Sequence, residues 1–521
     1  MFTRNLIGRV LRLGLMVSVA TVLNLEPVQA QTGDDALRFT QRFPATSTRM
    51  MSMGGAGIAG VADYGASFTN PAGLGYMRRS TFSGSLNIFS TKDDGLYQVS
   101  GFSNGLDTDV SKTQIGHLAS VYKVPTVRGA FVVTASFSQV NSFDRDLLFE
   151  GENAGNSITD FFMPLPGEFS IEEDADGLYP VFSRPLSLIA YETFGIDFDQ
   201  GLYDDGNAVP FLPAVTDGTV LQNGSVTEAG SMNELNFGGA AEVAPRVMAG
   251  VSINIPFGTY RFDRVFEEDD FQNANDGNFG TTDFEYLRLS EYLKTSLVGV
   301  NVRAGLSTDV TPNVRLGLTV ETPTYYAVDE DYDTRLETFF DNGDSFSYGD
   351  EREEDAGAGN FEYDITTPWR LGAGVAYNIG TFTVLGDIEY VDWSQLQLDA
   401  SSVSFSDENR FIRQNYNAVV NTRVGVEYTT GPFAVRGGFA FQPDPLDKRI
   451  RSTDELDLDR SRTFFSAGLG YRFAEQFQVD LGWMQEQYED QYRPYTEVTN
   501  APVVSEELMR NRFSLALKLF F

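Results

Sequence analysis

Few of the residues that usually carry chemistry occur in this 521-residue chain. It has no cysteine and one histidine, His117. No disulfide, thiolate metal site or lipid-bearing cysteine can form, and neither a histidine triad nor a multi-histidine metal centre can be built. Residues 55–60 (Gly-Ala-Gly-Ile-Ala-Gly) match G-x-G-x-x-G. No strand precedes them and no ribose-binding acid follows at the right distance, so they are not a dinucleotide site. Asp329, Asp331 and Asp333 have the spacing of a calcium loop. Thr334 stands where the turn glycine is required and Phe340 where the bidentate glutamate belongs, so no dedicated metal site is expected. The acid runs at 267–270, 329–333 and 350–355 read as solvated surface. No serine sits in a G-x-S-x-G context, so no enzymatic activity and no cofactor are expected. What remains is arginine and carboxylate. The 38 basic residues are nearly all arginine, against 73 acids, for a formal net charge of -35. A nucleic-acid partner is excluded, because it needs a basic face.

The elements that must position these charges are strands. From residue 80 onward apolar and polar residues alternate, which is the period of a sheet with two different faces. At the C-terminal end Phe513, Leu515, Leu517, Leu519 and Phe521 alternate with Ser514, Ala516, Lys518 and Phe520. Val298, Val300 and Val302 alternate with Gly299, Asn301 and Arg303, and Val424 and Val426 with Arg423, Gly425 and Glu427. The polar faces hold Gly, Arg and Glu rather than a uniform solvent pattern. Residues 1–30 read as an export signal, with Arg4, Arg9 and Arg12, then an apolar run, then Val28-Gln-Ala30 before Gln31. A mean hydropathy of -0.21 argues against a bundle of membrane helices.

Connection lengths select the architecture. Short connections fall at 124–129, 243–247, 308–313, 378–381, 429–433 and 473–476. Long ones fall at about 91–115, 141–231, 261–294, 328–360, 394–417, 444–461 and 489–508. Short and long alternate throughout, so all turns lie on one side and all loops on the other. That is the organisation of an outer-membrane barrel. Six turns give twelve strands, and one more at each end gives fourteen. The stretch 96–102 reads either as an extension of the first strand or as a separate piece. Tyr377, Phe382, Tyr428, Phe433, Tyr471, Phe473 and Phe477 cluster near the turns, with Trp369 and Trp393 near the other rim, as two interfacial girdles. The expected fold is therefore all-β: a 14-stranded antiparallel transmembrane β-barrel over 80–521, facing outer-membrane lipid, with residues 31–79 as an N-terminal hatch in its lumen.

The hatch segment carries Gly54, Gly55 and Gly57, then Asp63, then Asn70, Pro71 and Ala72. It resembles the hatch of the FadL/TodX outer-membrane transporters, which has an Asn-Pro-Ala motif. Residues 368–377 with Asp387 and 392–394, and residues 423–428 with 434–439, resemble later strands of that family. The resemblance implies transport of long-chain fatty acids or other hydrophobic small molecules through a plugged barrel in the outer membrane of a Gram-negative bacterium. It implies a ligand site among the loops, a pocket in the barrel, and a hatch shift that opens a path. FadL-like barrels of the PorV type, which serve protein secretion, are the alternative. Phe521 on an alternating strand resembles the C-terminal signal read by the outer-membrane insertion machinery. Candidate contacts for a ligand carboxylate are the lumen-facing Arg303, Arg315, Arg423, Arg436 and Arg472. Glu321, Asp387, Glu389, Glu427 and Asp480 face the same interior, so arginine–carboxylate pairing is the plainer role for each. Phe161, Phe162, Phe194, Phe198, Phe339 and Phe340 form either a greasy access groove or the loops' own small cores.

Overall fold

A computed structural model describes residues 32–99, 101–175, 177–275, 283–349, 357–446 and 458–521. The signal segment and the acid run at 350–355 lie outside the described residues. Fourteen strands form one antiparallel ring. They are β1 Thr81–Val99, β2 Phe102–Val124, β3 Phe131–Ser142 continued by Arg145–Asn153, β4 Val220–Ala244, β5 Val247–Asp269, β6 Phe284–Asp309 and β7 Val314–Glu321 continued by Tyr325–Phe340. The second half is β8 Ala358–Thr366 continued by Arg370–Ile379, β9 Phe382–Asp392, β10 Ala418–Thr430, β11 Phe433–Gln442, β12 Arg462–Ala474, β13 Phe477–Tyr492 and β14 Val503–Phe520. β1 pairs with β14 from Thr81↔Phe520 to Gln98↔Val503, which closes the ring.

The alternation read from sequence is the alternation of burial. Phe513, Leu515 and Leu517 are about half exposed on the outer wall, while Ser514, Ala516 and Lys518 are buried inside. The same holds for Val298, Val300 and Val302 against Gly299, Asn301 and Arg303. Such a belt of exposed aliphatic residues is tolerated only where lipid replaces water. No helix among the described residues is long and apolar enough to cross a membrane.

All six short connections lie where the sequence puts them, but five of the long loops are shorter than expected, the last of them shrinking from 489–508 to 493–502. β1 and β2 pair as far as Val99↔Phe102, so the expected loop 91–115 is largely a hairpin that projects beyond the lipid belt, with Leu96–Val99 extending the first strand and Phe102 opening the second. β3 runs to Asn153 and β4 starts at Val220, so the loop expected at 141–231 shrinks to 154–219. β5 and β6 pair out to Asp269↔Tyr286, which shortens 261–294, and β7 reaches Phe340, which shortens 328–360. Outside the lipid both faces of a strand can be polar. The ladder therefore continues after the alternation has stopped.

The loop 154–219 is folded. Its Ile158, Phe161, Phe162, Phe182, Ile189 and Phe211 join Tyr97, Phe149, Phe266, Phe340 and Val504 from the strand extensions in one apolar core. Phe161, Phe162 and Phe340 are buried there, and Phe194 and Phe198 pack against it. These loop aromatics therefore build a cap on the long-loop side. At the opposite end Phe382–Tyr428, Phe433–Tyr471 and Phe473–Phe477 form ring pairs 4.7, 4.8 and 5.4 Å apart. Trp369 is exposed as a girdle residue should be, but Trp393 is not. A short turn at Trp393–Gln395, capped by Asp392 accepting from the Ser394 N–H, turns its indole inward. It is buried under the Arg370 guanidinium.

Candidate functional site

Residues 32–80 fill the barrel interior. They form α1 Gly33–Thr40, α2 Thr48–Met51, α3 Ala66–Thr69 and a 3-10 turn at Pro71–Tyr76. Ser47 caps α2 and Thr32 caps α1 by a reciprocal capping box with Asp35. Elements this short cannot hold themselves together, so the wall holds them.

The Asn-Pro-Ala motif is one of the fasteners. Asn70 is fully buried, and its Nδ2 lies 2.7 Å from the Ile58 carbonyl, 3.1 Å from that of Leu306 on β6 and 3.3 Å from that of Leu318 on β7. Its Oδ1 accepts from the Ala72 N–H at 3.0 Å, and Pro71 starts the 3-10 turn, where no N–H is needed. The wall supplies space by omission. A Cβ on Gly305 would stand 1.8 Å from Asn70 Oδ1, one on Gly250 2.4 Å from the Pro71–Ala72 peptide, and one on Gly317 1.9 Å from the Ile58 carbonyl. Inward-facing glycine on these strands is thus the imprint of the hatch.

Gly54 and Gly55 have φ of +64° and +79°, open only to glycine at low cost. The Gly54 N–H donates to Ser466 Oγ at 2.8 Å. The Gly57 and Ile58 N–H groups both donate to Asp387 Oδ2 on β9, at 2.6 and 2.8 Å. Charged forks complete the attachment. Arg42 meets Glu321 through two bonds of 3.0 and 2.8 Å, and Arg49 meets Glu427 through two of 3.0 and 2.7 Å. Lys518 on β14 reaches Asp63 at 2.5 Å.

The five candidate arginines fall at different places. Arg303 is buried between Glu321 at 2.8 Å, Glu234 at 3.6 Å and the Ser67 carbonyl of α3 at 2.8 Å. Arg315 binds Asp309 and the Gly60 carbonyl and lies over the Tyr76 ring. Arg423 pairs with Glu389 at 3.1 Å, and Arg436 with Glu427 and Asp480 at 2.6 and 2.7 Å. Arg472 sits at the short-turn mouth, over the Phe520 ring. The first four bind carboxylates, and Arg303 and Arg315 also hold hatch carbonyls.

On the long-loop side of these fasteners the lumen forms an apolar chamber that the hatch packs shut, leaving a cavity of only about 20 Å³ beside Phe39. Its walls are Val140, Phe143, Met232, Tyr260, Tyr326, Tyr363, Trp393 and Leu396, and Leu37 and Phe39 of α1 pack into it. The Phe39 ring is 5.5 Å from Tyr260 and 6.2 Å from Phe143, both edge-on. Nothing in the sequence marked this chamber, because its wall residues come from five strands and the turn after β9 and look like ordinary core.

Beside the chamber the wall is unzipped. β2 and β3 pair only from Val124↔Phe131 to His117↔Ser138. Beyond that, β3 turns inward at Phe143–Asp144, and its continuation pairs with β4 alone. Side chains replace the ladder. Lys112 Nζ and Gln114 Nε2 reach Asp144 at 2.7 and 3.2 Å, and Gln139 donates to Gln114. On the inner side the hatch touches the same bend, where the Phe43 N–H donates to the Val140 carbonyl at 2.8 Å and Asn141 to that of Gln41.

The cap over the long-loop end holds buried acids, among them Glu268 and Asp270. Glu268 lies past the lipid belt, since the outward residues of β5 change from Val251 and Ile253 to Arg261 and Asp263 before it. It accepts from Ser157 Oγ, from the Ile158 N–H at 3.1 Å and from Gln222 at 2.5 Å, and Gln222 is bonded in turn to Tyr97 and Tyr495. Burial pushes its carboxyl up to about 7, against those hydrogen bonds and helped by Asp160. A carboxyl raised on folding stabilises the folded form fully below its unfolded value of 4.5, and this is lost as pH rises through about 7. The loss is roughly 3 kcal/mol at 1.36 kcal/mol per unit. The cap will therefore resist protease at pH 5 better than at pH 8, and Glu268→Gln, which can keep all three bonds, will hold the pH 5 resistance at pH 8. An equal loss of resistance in both proteins would refute the assignment.

Comparison with known proteins fits this architecture. The family model for outer membrane protein transport proteins (OMPP1/FadL/TodX) matches residues 221–499. Alkane uptake protein A of Marinobacter nauticus is 28% identical over 145 residues, 26% of this chain and 31% of that protein, so the chain spans about a third of the relative it matches. A FadL homologue of Pseudomonas aeruginosa superposes with a TM-score of 0.51 at 12% identity, covering 92% of this chain and 99% of that one. The Pseudomonas putida toluene transporter TodX superposes with a TM-score of 0.49 at 12% identity, covering 91% and 97%.

Proposed function

Because the chain belongs to the OMPP1/FadL/TodX family of outer-membrane transport proteins, we propose that it carries an apolar small molecule, a long-chain fatty acid or a hydrocarbon, through the outer membrane by way of the plugged lumen. The observation that carries the reading is the chamber around Leu37 and Phe39. It is an apolar site inside a barrel that a short helix of the protein's own hatch fills, so a guest enters by displacing Leu37 and Phe39. An apolar guest gains about 25 cal/mol per Å² of surface removed from water there, which a water-filled pore would not offer. A guest that displaces α1 pulls on residues 41–43, which contact the bend of β3. The unzipped stretch between β2 and β3 then serves as the way out into the bilayer. Residues 1–30 direct export, the strand ending at Phe521 addresses the insertion machinery, and the outer belt rests in outer-membrane lipid.

Uptake of labelled oleate and labelled hexadecane by cells with and without the gene tests this. Uptake of at least one of them is expected to fall to the passive background without the gene. Equal uptake of both, with the barrel confirmed in the outer membrane, would sink the reading for these substrates.

A further inference from the structure

At the short-turn end, beneath the hatch, lies a cavity of about 720 Å³. Its lining includes Arg49, Arg78, Arg79, Arg436, Arg472 and Lys518 against Glu427 and Glu475. In a chain of net charge -35 this is an island of cations. Such a concavity focuses a positive potential on whatever enters.

Several of these donors are already used. Arg49 is forked on Glu427, and Lys518 is held by Asp63. Arg436 spends Nε on Glu427 and Nη1 on Asp480, which leaves Nη2. That nitrogen is kept open by a missing side chain, since a Cβ on Gly470 would stand 2.8 Å from it. Arg472 makes one long bond of 3.4 Å to Gln478 and otherwise lies on the Phe520 ring. Arg79 bonds the Glu475 carbonyl and stands 3.6 Å from its carboxylate. Arg78 is exposed. Four guanidinium groups therefore present unspent donors to one space. Tyr76, Met77, Phe433 and Phe520 line the same cavity with apolar surface.

We propose that this vestibule binds the anionic headgroup of an amphiphile, a carboxylate or phosphate, with its chain against Tyr76, Met77 and Phe520. Planar guanidinium groups suit both headgroups by paired hydrogen bonds. The site lies on the far side of the hatch from the apolar chamber and does not depend on the transport reading.

Equilibrium dialysis tests it, with the barrel in neutral phosphatidylcholine nanodiscs and labelled octanoate, octyl phosphate, octanol and inorganic phosphate as probes. The triple variant R78Q/R79Q/R472Q changes only groups at the mouth, and R410Q/R413Q, on the exposed helix at Ser406–Asn415, is the control. Octanoate and octyl phosphate are expected to bind the wild type and the control alike, and the triple variant about tenfold more weakly. Octanol is expected to bind all three alike. Both anionic amphiphiles binding the triple variant as well as the wild type would overturn the site. Inorganic phosphate competing as strongly as octyl phosphate would overturn its assignment to an amphiphile.

Discussion

Replacing Gly305 by valine will unseat the hatch while the barrel stays closed. The new Cβ stands 1.8 Å from Asn70 Oδ1, so the Asn70 side chain must move. It then loses its bonds to the Ile58, Leu306 and Leu318 carbonyls and to the Ala72 N–H. At about 1 kcal/mol net for each bond, the seated hatch loses roughly 4 kcal/mol. That is a fall of several hundredfold in the ratio of seated to displaced hatch. The ladder itself is not threatened. Gly305 pairs through its backbone with Gly250 and Thr319, and valine is a good strand residue. Planar-bilayer conductance and limited proteolysis read the outcome together. A large water-filled conductance with early cleavage inside 32–80 is expected, with the folded barrel still shifted on an unheated gel. A silent bilayer and a protected hatch would show that Asn70 is not a principal fastener.

Closing the unzipped stretch covalently will stop transport. The chain has no cysteine, so Gln114→Cys with Gln139→Cys introduces the only two thiols. Their side chains already touch across the gap. A short bifunctional thiol reagent should fuse β2 to β3 there, and a cleavable version should be reversible. Uptake is expected to fall to the passive background on bridging and to return on cleavage, while either single cysteine stays indifferent to the reagent. Undiminished uptake through a bridged barrel would redirect the exit downward, past the hatch. The measurement also separates two roles of Lys112 and Asp144, whose 2.7 Å contact spans the same gap. If the pair only braces the loops, bridging will cost nothing.

What the sequence disclosed follows from where it was under a single constraint. In the lipid belt each strand has one greasy and one wet face, so Val298–Arg303 and Phe513–Lys518 announce themselves. The extensions at 91–115 have left the lipid and turn polar residues such as Lys92 and Asp94 outward, and nothing in Ser103, Asn104, Asp107 or Thr108 reveals that they are paired. Trp393 reads as a girdle residue because tryptophan favours interfaces, yet a turn fixed by Asp392 aims it inward. The motif at Asn70–Ala72 is legible, but its partners are glycines far away in sequence, and a glycine does not say what presses on it. The arginines were visible as a set. Which acid each one meets is decided by register, as with Arg303 opposite Glu321 on β7.

The contact between Asp63 and Lys518 has a consequence for manufacture. Asp63 belongs to the part of the chain made before any strand. Lys518 rides on β14, which is made after all the others and pairs with β1 to complete the ring. The first piece and the last are thus joined by a buried ion pair of 2.5 Å, and before it forms Asp63 has only the Gly65 N–H at 3.0 Å and the field of Arg49. An unfinished barrel carries an under-compensated acid in its interior and an unpaired amine on a free strand, and both are costly away from water. The bond acts as a seal of completion: the lumen becomes electrically comfortable only when the cylinder has shut around its stopper.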